Sequence, residues 1–141
     1  MATLALPGVV VLVTDQGVKL LLRHRRFESV PLGPLGSLRI VEARLWVHRL
    51  TDRSPIGLWL WIVPAGALVA GSAWLPASQL FVGLLLGGSL SNGLEGAVRG
   101  SVTDYVCLRF WPAFNLADVA LTVGAIGIAI ELLRTVSGTA S

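Results

Sequence analysis

The sequence predicts an all-α membrane protein of four transmembrane helices, with a small β-rich extramembrane segment between helices 1 and 2. Three observations predict it. Only 13% of the 141 residues are charged and 54% are hydrophobic, whereas a soluble domain carries about a quarter charged residues. No charged residue occurs from 54 to 94, a run of 41 that suffices for two bilayer crossings at about 20 residues each. A further apolar stretch lies on each side of that run. This composition excludes a disordered chain, a soluble nucleic-acid binder and a secreted disulfide scaffold. The single Cys107 excludes an intramolecular disulfide and a cysteine-cluster metal site.

The chain is read as one integral membrane domain over 1–141. The first span covers about 3–22 and carries Asp15 and Lys19. It has no basic residues ahead of its apolar run, so it is read as a retained span and not a cleaved signal peptide. The connection 23–55 follows. Its Pro31, Gly33, Pro34 and Gly36 enforce turns. Arg39 to Leu50 then favours strand, with Arg44, Trp46 and His48 at alternating positions, which predicts a short sheet on the membrane surface. The second span, about 56–75, has Trp59, Trp61 and Trp74 suited to the interfaces. Pro76 opens a tight turn, the third span runs over about 78–94, and a second connection covers 95–113. The fourth span takes 114–133. An even number of spans puts both termini on one side.

Polar residues are distributed unevenly over this scheme. Asp15, Lys19, Asn92, Glu95, Asp104, Asn115 and Asp118 all fall in the two long connections or the adjoining helix halves. The other side has only Glu131 and Arg134 near its end. Ionisable residues within spans are costly and mark a function or a buried pair, so the candidate site lies at one membrane face. The net charge is +3, and ten of the eleven basic residues are Arg. With so much apolar surface that excess belongs beside lipid headgroups, and nucleic acid is not expected as a partner. His24 and His48 lack metal-ligand spacing; neither a metal nor a cofactor is expected.

Asp104 and Asp118 are fourteen residues apart and meet if the segment 107–113 folds back. Two carboxylates in one confined site hold a single proton between them. Such a pair supplies a general base and a general acid with no metal or nucleophilic side chain. On spacing alone a second account stays open, in which Asp118 caps the fourth helix and Asp104 is a solvated loop residue. Asp15 and Lys19, at i and i+4, stand in the favourable order for a pair on one helix face and are assigned a structural role.

The stretch Phe114-Asn115-Leu116-Ala117-Asp118, followed by Thr122-Val123-Gly124, resembles the Phe-Asn-x-Ala-Asp signature of signal peptidase II, the lipoprotein signal peptidases. Val102-Thr103-Asp104-Tyr105-Val106 is similar to the other catalytic-aspartate motif of that family. Gly87-Gly88-Ser89-Leu90-Ser91-Asn92 resembles its Gly-Gly-x-x-x-Asn, and Asp15-Gln16-Gly17-Val18-Lys19 its Asp-Gln-x-x-Lys. Order, spacing and topology agree over nearly the whole chain. The resemblance implies a four-span aspartic protease of the bacterial inner membrane, with Asp104 and Asp118 as catalytic dyad. Water would attack the peptide bond before a diacylglyceryl-modified cysteine of a prolipoprotein. Asn92 and Asn115 would position the dyad or the substrate backbone, and the Arg-rich connection would match an extramembrane cradle.

The sequence departs from the family in two places. Its Asn-x-x-Asp-Arg is here Asn92-Gly93-Leu94-Glu95-Gly96, one methylene longer in the acid and lacking the arginine. Arg99, four residues after Glu95, is positioned to restore the ion pair on a continued helix. The family's Asn-x-Gly-Ala-Ala-Phe has no counterpart: the region reads Val41-Glu42-Ala43-Arg44-Leu45-Trp46-Val47. Nine arginines in the two connections would place the decorated side in the cytoplasm by the positive-inside rule. The family's topology places it outside, with both termini cytoplasmic, and the more specific aspartate motifs decide for that orientation. A divergent peptidase is therefore expected. The alternative is a noncatalytic relative within a larger membrane complex, contacting protein or anionic lipid through its Arg-rich segment 39–53. A transporter or channel fits poorly, since polar residues at one face describe no transmembrane path.

Overall fold

The computed structural model describes residues 2–24, 29–43 and 56–138, with the side chains of 43 and 56–60 excepted. Helix α1 spans Ala2–His24, strands β1 and β2 take Val30–Pro31 and Gly36–Ala43, and helix α2 takes Ile56–Ser72. Helix α3 is Gln79–Arg99, strand β3 Val102–Leu108 and helix α4 Leu116–Gly138. Arg25, Arg26, Arg44, Trp46, His48, Arg49 and Arg53 lie outside the described residues, as does most of the proposed contact segment 39–53.

Helices α1, α3 and α4 form the body, with α3 in the middle. Small residues let them approach closely, as in other bundles that cannot draw on a hydrophobic driving force. Gly8 of α1 meets Gly83 and Gly87 of α3 backbone to backbone. On the other side of α3, a Cβ added to Gly88 would stand 2.6 Å from the Ala117 carbonyl oxygen, and one on Gly124 would stand 2.7 Å from that of Phe81. Helix α2 stands off from α1, leaving an apolar cleft of about 640 Å³ between α1, α2 and α3. A hydrogen bond from Trp61 Nε1 to Ser89 Oγ at 3.2 Å links α2 to α3.

The outward faces are apolar: Val13, Leu20, Val123, Ile126 and Leu133 are all exposed. The interior near one end of the bundle is polar, with Asp15, Lys19, Ser91 and Asn115 fully buried. This inversion of the soluble pattern suits a hydrocarbon surround. Among the described residues, two helices, α1 and α4, are long and apolar enough to cross a membrane. In α3, Gln79, Ser89, Ser91, Asn92 and Glu95 dilute the apolar run.

The sheet corrects the expected plan. Its three strands pair antiparallel in the order β1-β2-β3, and β3 comes from the second connection, between α3 and α4. The β-rich segment is thus not confined to the stretch between helices 1 and 2. Val102 pairs with Ala43 and Asp104 with Val41, and the register slips between Leu38 and Val41. Helix α3 also runs past the expected Leu94, so Glu95 is helical and buried. Gly100 ends it in the left-handed conformation (φ 75°), its N–H capping Gly96 O, as glycine without a Cβ does best.

Candidate active site

The polar end of the bundle is built by α1, α3, β3 and the start of α4. Phe114 pairs with Val106 beside β3, so the chain folds back and returns Asn115 toward Asp104. Asn115 immediately precedes α4. Its Oδ1 accepts from the Asp118 N–H at 2.9 Å, while Asp118 Oδ2 accepts from the Asn115 N–H at 3.0 Å. This reciprocal pair is a capping box in which Asn and Asp replace the usual Ser/Thr and Glu. The capping account of Asp118 therefore holds, yet it leaves the other oxygen for a second task. Asp118 Oδ1 accepts from Asn92 Nδ2 at 2.8 Å.

Asp104 is no solvated loop residue. It sits in β3 at 8% exposure, and its Oδ1 accepts from Asn115 Nδ2 at 2.8 Å. The same Nδ2 also reaches Thr103 O and Asn92 Oδ1, at 3.3 and 3.2 Å. Asn115 thereby touches both aspartates. Burial, with the nearby Asp118 charge adding to it, pushes the Asp104 carboxyl up to about 6 against opposition from the Asn115 bond and Lys19. Two carboxyls held this close by one asparagine are the arrangement that can share a proton between them.

Behind the two aspartates lies a buried ionic layer. Lys19, fully buried, forms ion pairs with Asp15 at 2.6 Å and Glu95 at 2.9 Å and donates a hydrogen bond to Asn92 Oδ1 at 2.8 Å. The expected i,i+4 pair of Asp15 and Lys19 is present. The expected Glu95–Arg99 pair is not: Glu95 takes Lys19 and Arg23, both from α1. Arg23 completes an i, i+4, i+8 row with Asp15 and Lys19, so α1 presents one charged face to α3. Asp15 is saturated further by Ser91 Oγ (2.7 Å), Tyr105 OH (3.3 Å) and the Ala117 N–H (3.3 Å).

Several of these residues were not singled out from sequence. Tyr105 donates to Asp15 and accepts from the Leu116 N–H at 3.0 Å, and burial pushes its hydroxyl up to about 12, so it stays a neutral strut between α1 and α4. Gln16 bonds Ser91 Oγ and O. Arg23 donates to Thr103 Oγ1 as well as pairing with Glu95. Positions 15–19 and 102–106 were legible as motifs, and Gln16, Thr103 and Tyr105 lie within them. Arg23 had no local signal. Among the described residues, no three His, Cys, Asp or Glu side chains are placed to hold a metal ion. Of the region where the family's Asn-x-Gly-Ala-Ala-Phe is missing, Val41, Glu42 and Ala43 lie in β2 and the rest is outside the described residues.

Residues 8–134 match the family described as signal peptidase (SPase) II. The lipoprotein signal peptidase of Moorella thermoacetica is 30% identical over 137 residues, covering 89% of each chain. That of Pseudomonas aeruginosa is 35% identical over 102 residues, 61% of this chain and 59% of the relative. A solved structure described as a bacterial membrane enzyme, determined by the in meso method at 1.9 Å, superposes with a TM-score of 0.68. It is 24% identical and covers 92% of this chain and 91% of its own. At that identity the likeness concerns the fold.

Proposed function

The chain belongs to the signal peptidase II family, and from that premise we propose that it is an aspartic endopeptidase of the bacterial inner membrane. Its substrate on this proposal is a diacylglyceryl-modified prolipoprotein, cut before the modified cysteine. The observation that carries the proposal is Asn115, which bonds Asp104 and Asp118 at once. An asparagine that serves only as a helix cap has no need of the second aspartate.

The two carboxyls divide the work by their surroundings. Asp118 accepts N–H donors on both oxygens and is the base. Asp104, raised to about 6, carries the shared proton. Water attacks the scissile carbonyl carbon, giving its proton to Asp118 as Asp104 passes its own to the carbonyl oxygen. The resulting gem-diol collapses as Asp118 returns a proton to the departing nitrogen and Asp104 recovers one from a hydroxyl. The C–N bond breaks, and the dyad ends as it began. Removing water from around such charges strengthens each interaction inside the site.

Four crossings, with both termini in the cytoplasm and the dyad at the outer face, complete the proposal. Helices α2 and α3 then form the hairpin expected from the uncharged run, turning at Pro76–Ser78. The test is cleavage of a diacylglyceryl prolipoprotein by the purified protein, beside Asp104→Asn and Asp118→Asn. Wild-type cleavage with neither variant active is expected. Equal activity in all three would refute the dyad, and none in any would leave the noncatalytic relative. A reporter fused at Ser141 should signal from the cytoplasm; an external signal overturns the orientation.

A further inference from the structure

Among the described residues, Glu95 is the one carboxylate of the ionic layer that lies between two cations, and each cation has at least one further partner. Lys19 Nζ reaches Asn92 Oδ1 at 2.8 Å, and Asn92 Nδ2 reaches Asp118 Oδ1 at 2.8 Å. Arg23 reaches Thr103 Oγ1, the residue that precedes Asp104 in β3. One arm from Glu95 therefore ends on one half of the dyad, and the other arm ends beside the second half. The Lys19 arm lies within motifs that the sequence displays. The Arg23 arm is a separate feature of this chain, and it occupies the carboxylate for which Arg99 had been the expected partner.

Resting on the peptidase proposal above, we propose that Arg23 is a positioning residue for Asp104. Glu95 anchors the guanidinium, and the guanidinium fixes the edge of β3 at Thr103, which keeps Asp104 within reach of Asn115. Three features favour this assignment. Thr103 is 1% exposed, so its hydroxyl has no bulk water as a substitute partner. The Glu95 side chain is 1% exposed and the Arg23 side chain 20%, which screens the pair little. Guanidinium is a rigid planar fork able to meet two acceptors at fixed angles, whereas an ammonium is a point charge on a flexible stem. Arg23 does not touch the reacting atoms. It acts through Thr103 and the strand.

The test separates positioning from charge balance. Arg23→Lys keeps the cation for Glu95 and loses the fork; Thr103→Val keeps shape and loses the acceptor; Thr103→Ser keeps the acceptor. Loss of one hydrogen bond to a charged donor corresponds to about a tenfold effect. Arg23→Lys and Thr103→Val should each lower kcat by about that factor with KM little changed, and the double variant should be no worse than either. Thr103→Ser and Arg99→Gln should keep wild-type kcat. Full activity in Thr103→Val, additive losses, or an Arg99→Gln loss equal to that of Arg23→Lys would overturn the assignment. Should the wild type cleave nothing, the peptidase proposal fails and a second readout still decides this one. The ¹³C titration of the Asp104 carboxyl should move in Arg23→Lys and Thr103→Val and stay put in Thr103→Ser and Arg99→Gln. An unmoved titration in the first two overturns the positioning role.

Discussion

Asn115 and Asp118 cap one another at the start of α4, each backbone N–H held by the other's side chain, at 3.0 and 2.9 Å. Because Asn115 Nδ2 also holds Asp104, the end of the helix and the pair of aspartates are one construction. The carboxylate of Asp118 cannot rotate freely without breaking the cap. The cap cannot fray without releasing Asp104.

Asn115→Ser should separate these duties. Serine is a good cap residue, so the acceptor for the Asp118 N–H survives and the loss of stability should stay within about 1 kcal/mol. The Nδ2 donor to Asp104 is gone. On the proposed mechanism Asp104 carries the shared proton, so the lost bond joins neutral groups and is worth about 0.5–1.5 kcal/mol; kcat should fall up to roughly tenfold with only a small drop in melting temperature. A variant that lost stability and activity in step would reduce Asn115 to a helix cap.

Acid-base behaviour gives a second outcome. Asp104 is raised from 3.8 to about 6, so the folded chain holds this proton more tightly than the unfolded one. Its contribution to stability is therefore complete below pH 3.8 and lost as pH rises through about 6. If it donates the proton to the carbonyl, kcat/KM should fall along an alkaline limb near pH 6, since that profile reports the free enzyme. In Asp118→Asn the neighbouring charge is removed, and the ¹³C titration of Asp104 should move down. A titration that stayed in place would show that burial alone raises it and that the carboxyls are uncoupled.

Lys19 offers a thermodynamic test of the buried layer. Breaking a buried ion pair by removing one partner costs about 3–5 kcal/mol, because the other charge is left without compensation. Lys19→Met strands Asp15 and removes one of Glu95's two cations, so a loss of that order is expected in thermal unfolding in detergent. Adding Asp15→Asn should recover part of it, because the stranded charge then disappears. Additive losses in the double variant would mean that the pair is not coupled as its 2.6 Å separation implies.

The helix order and the motifs that carry Asp104 and Asp118 were legible because they rest on local signals: hydropathy runs, motif spacing, Pro76 and the Phe114–Asp118 stretch. Strand β3 was not. Its residues Val102 to Tyr105 are all buried, so polar Thr103 and Asp104 do not alternate with an apolar face, and period-two patterning disappears. The length of α3 was readable in principle from Gly100, which ends the helix after Arg99 as a glycine stop signal does. Glu95 follows the uncharged run and so marks a loop by hydropathy, yet it lies on the helix, inside the bundle. Arg23 is a harder case, since a cation that crosses from α1 to α3 leaves no spacing within either helix. Tyr105 and Ser91 likewise gain their partners only from tertiary packing.

Helix proximity, finally, is what brings Asn92 of α3 to Asp118 of α4. Gly88, one turn before Asn92, faces the Ala117 carbonyl, and a Cβ there would stand 2.6 Å from that oxygen. Real Cβ atoms do not approach backbone so closely, so Gly88→Val must push α4 away from α3. Overpacking of this kind costs about 1–3 kcal/mol, and the 2.8 Å bond from Asn92 to Asp118 lengthens with the displacement. Activity should therefore fall by more than stability predicts, with the residual signal in kcat. Gly17→Ala is the control: nothing lies within 4 Å of the added methyl, and an exposed helical glycine gains up to about 1 kcal/mol on becoming alanine. Wild-type activity in Gly88→Val would mean that the α3–α4 contact does not set the Asn92–Asp118 distance.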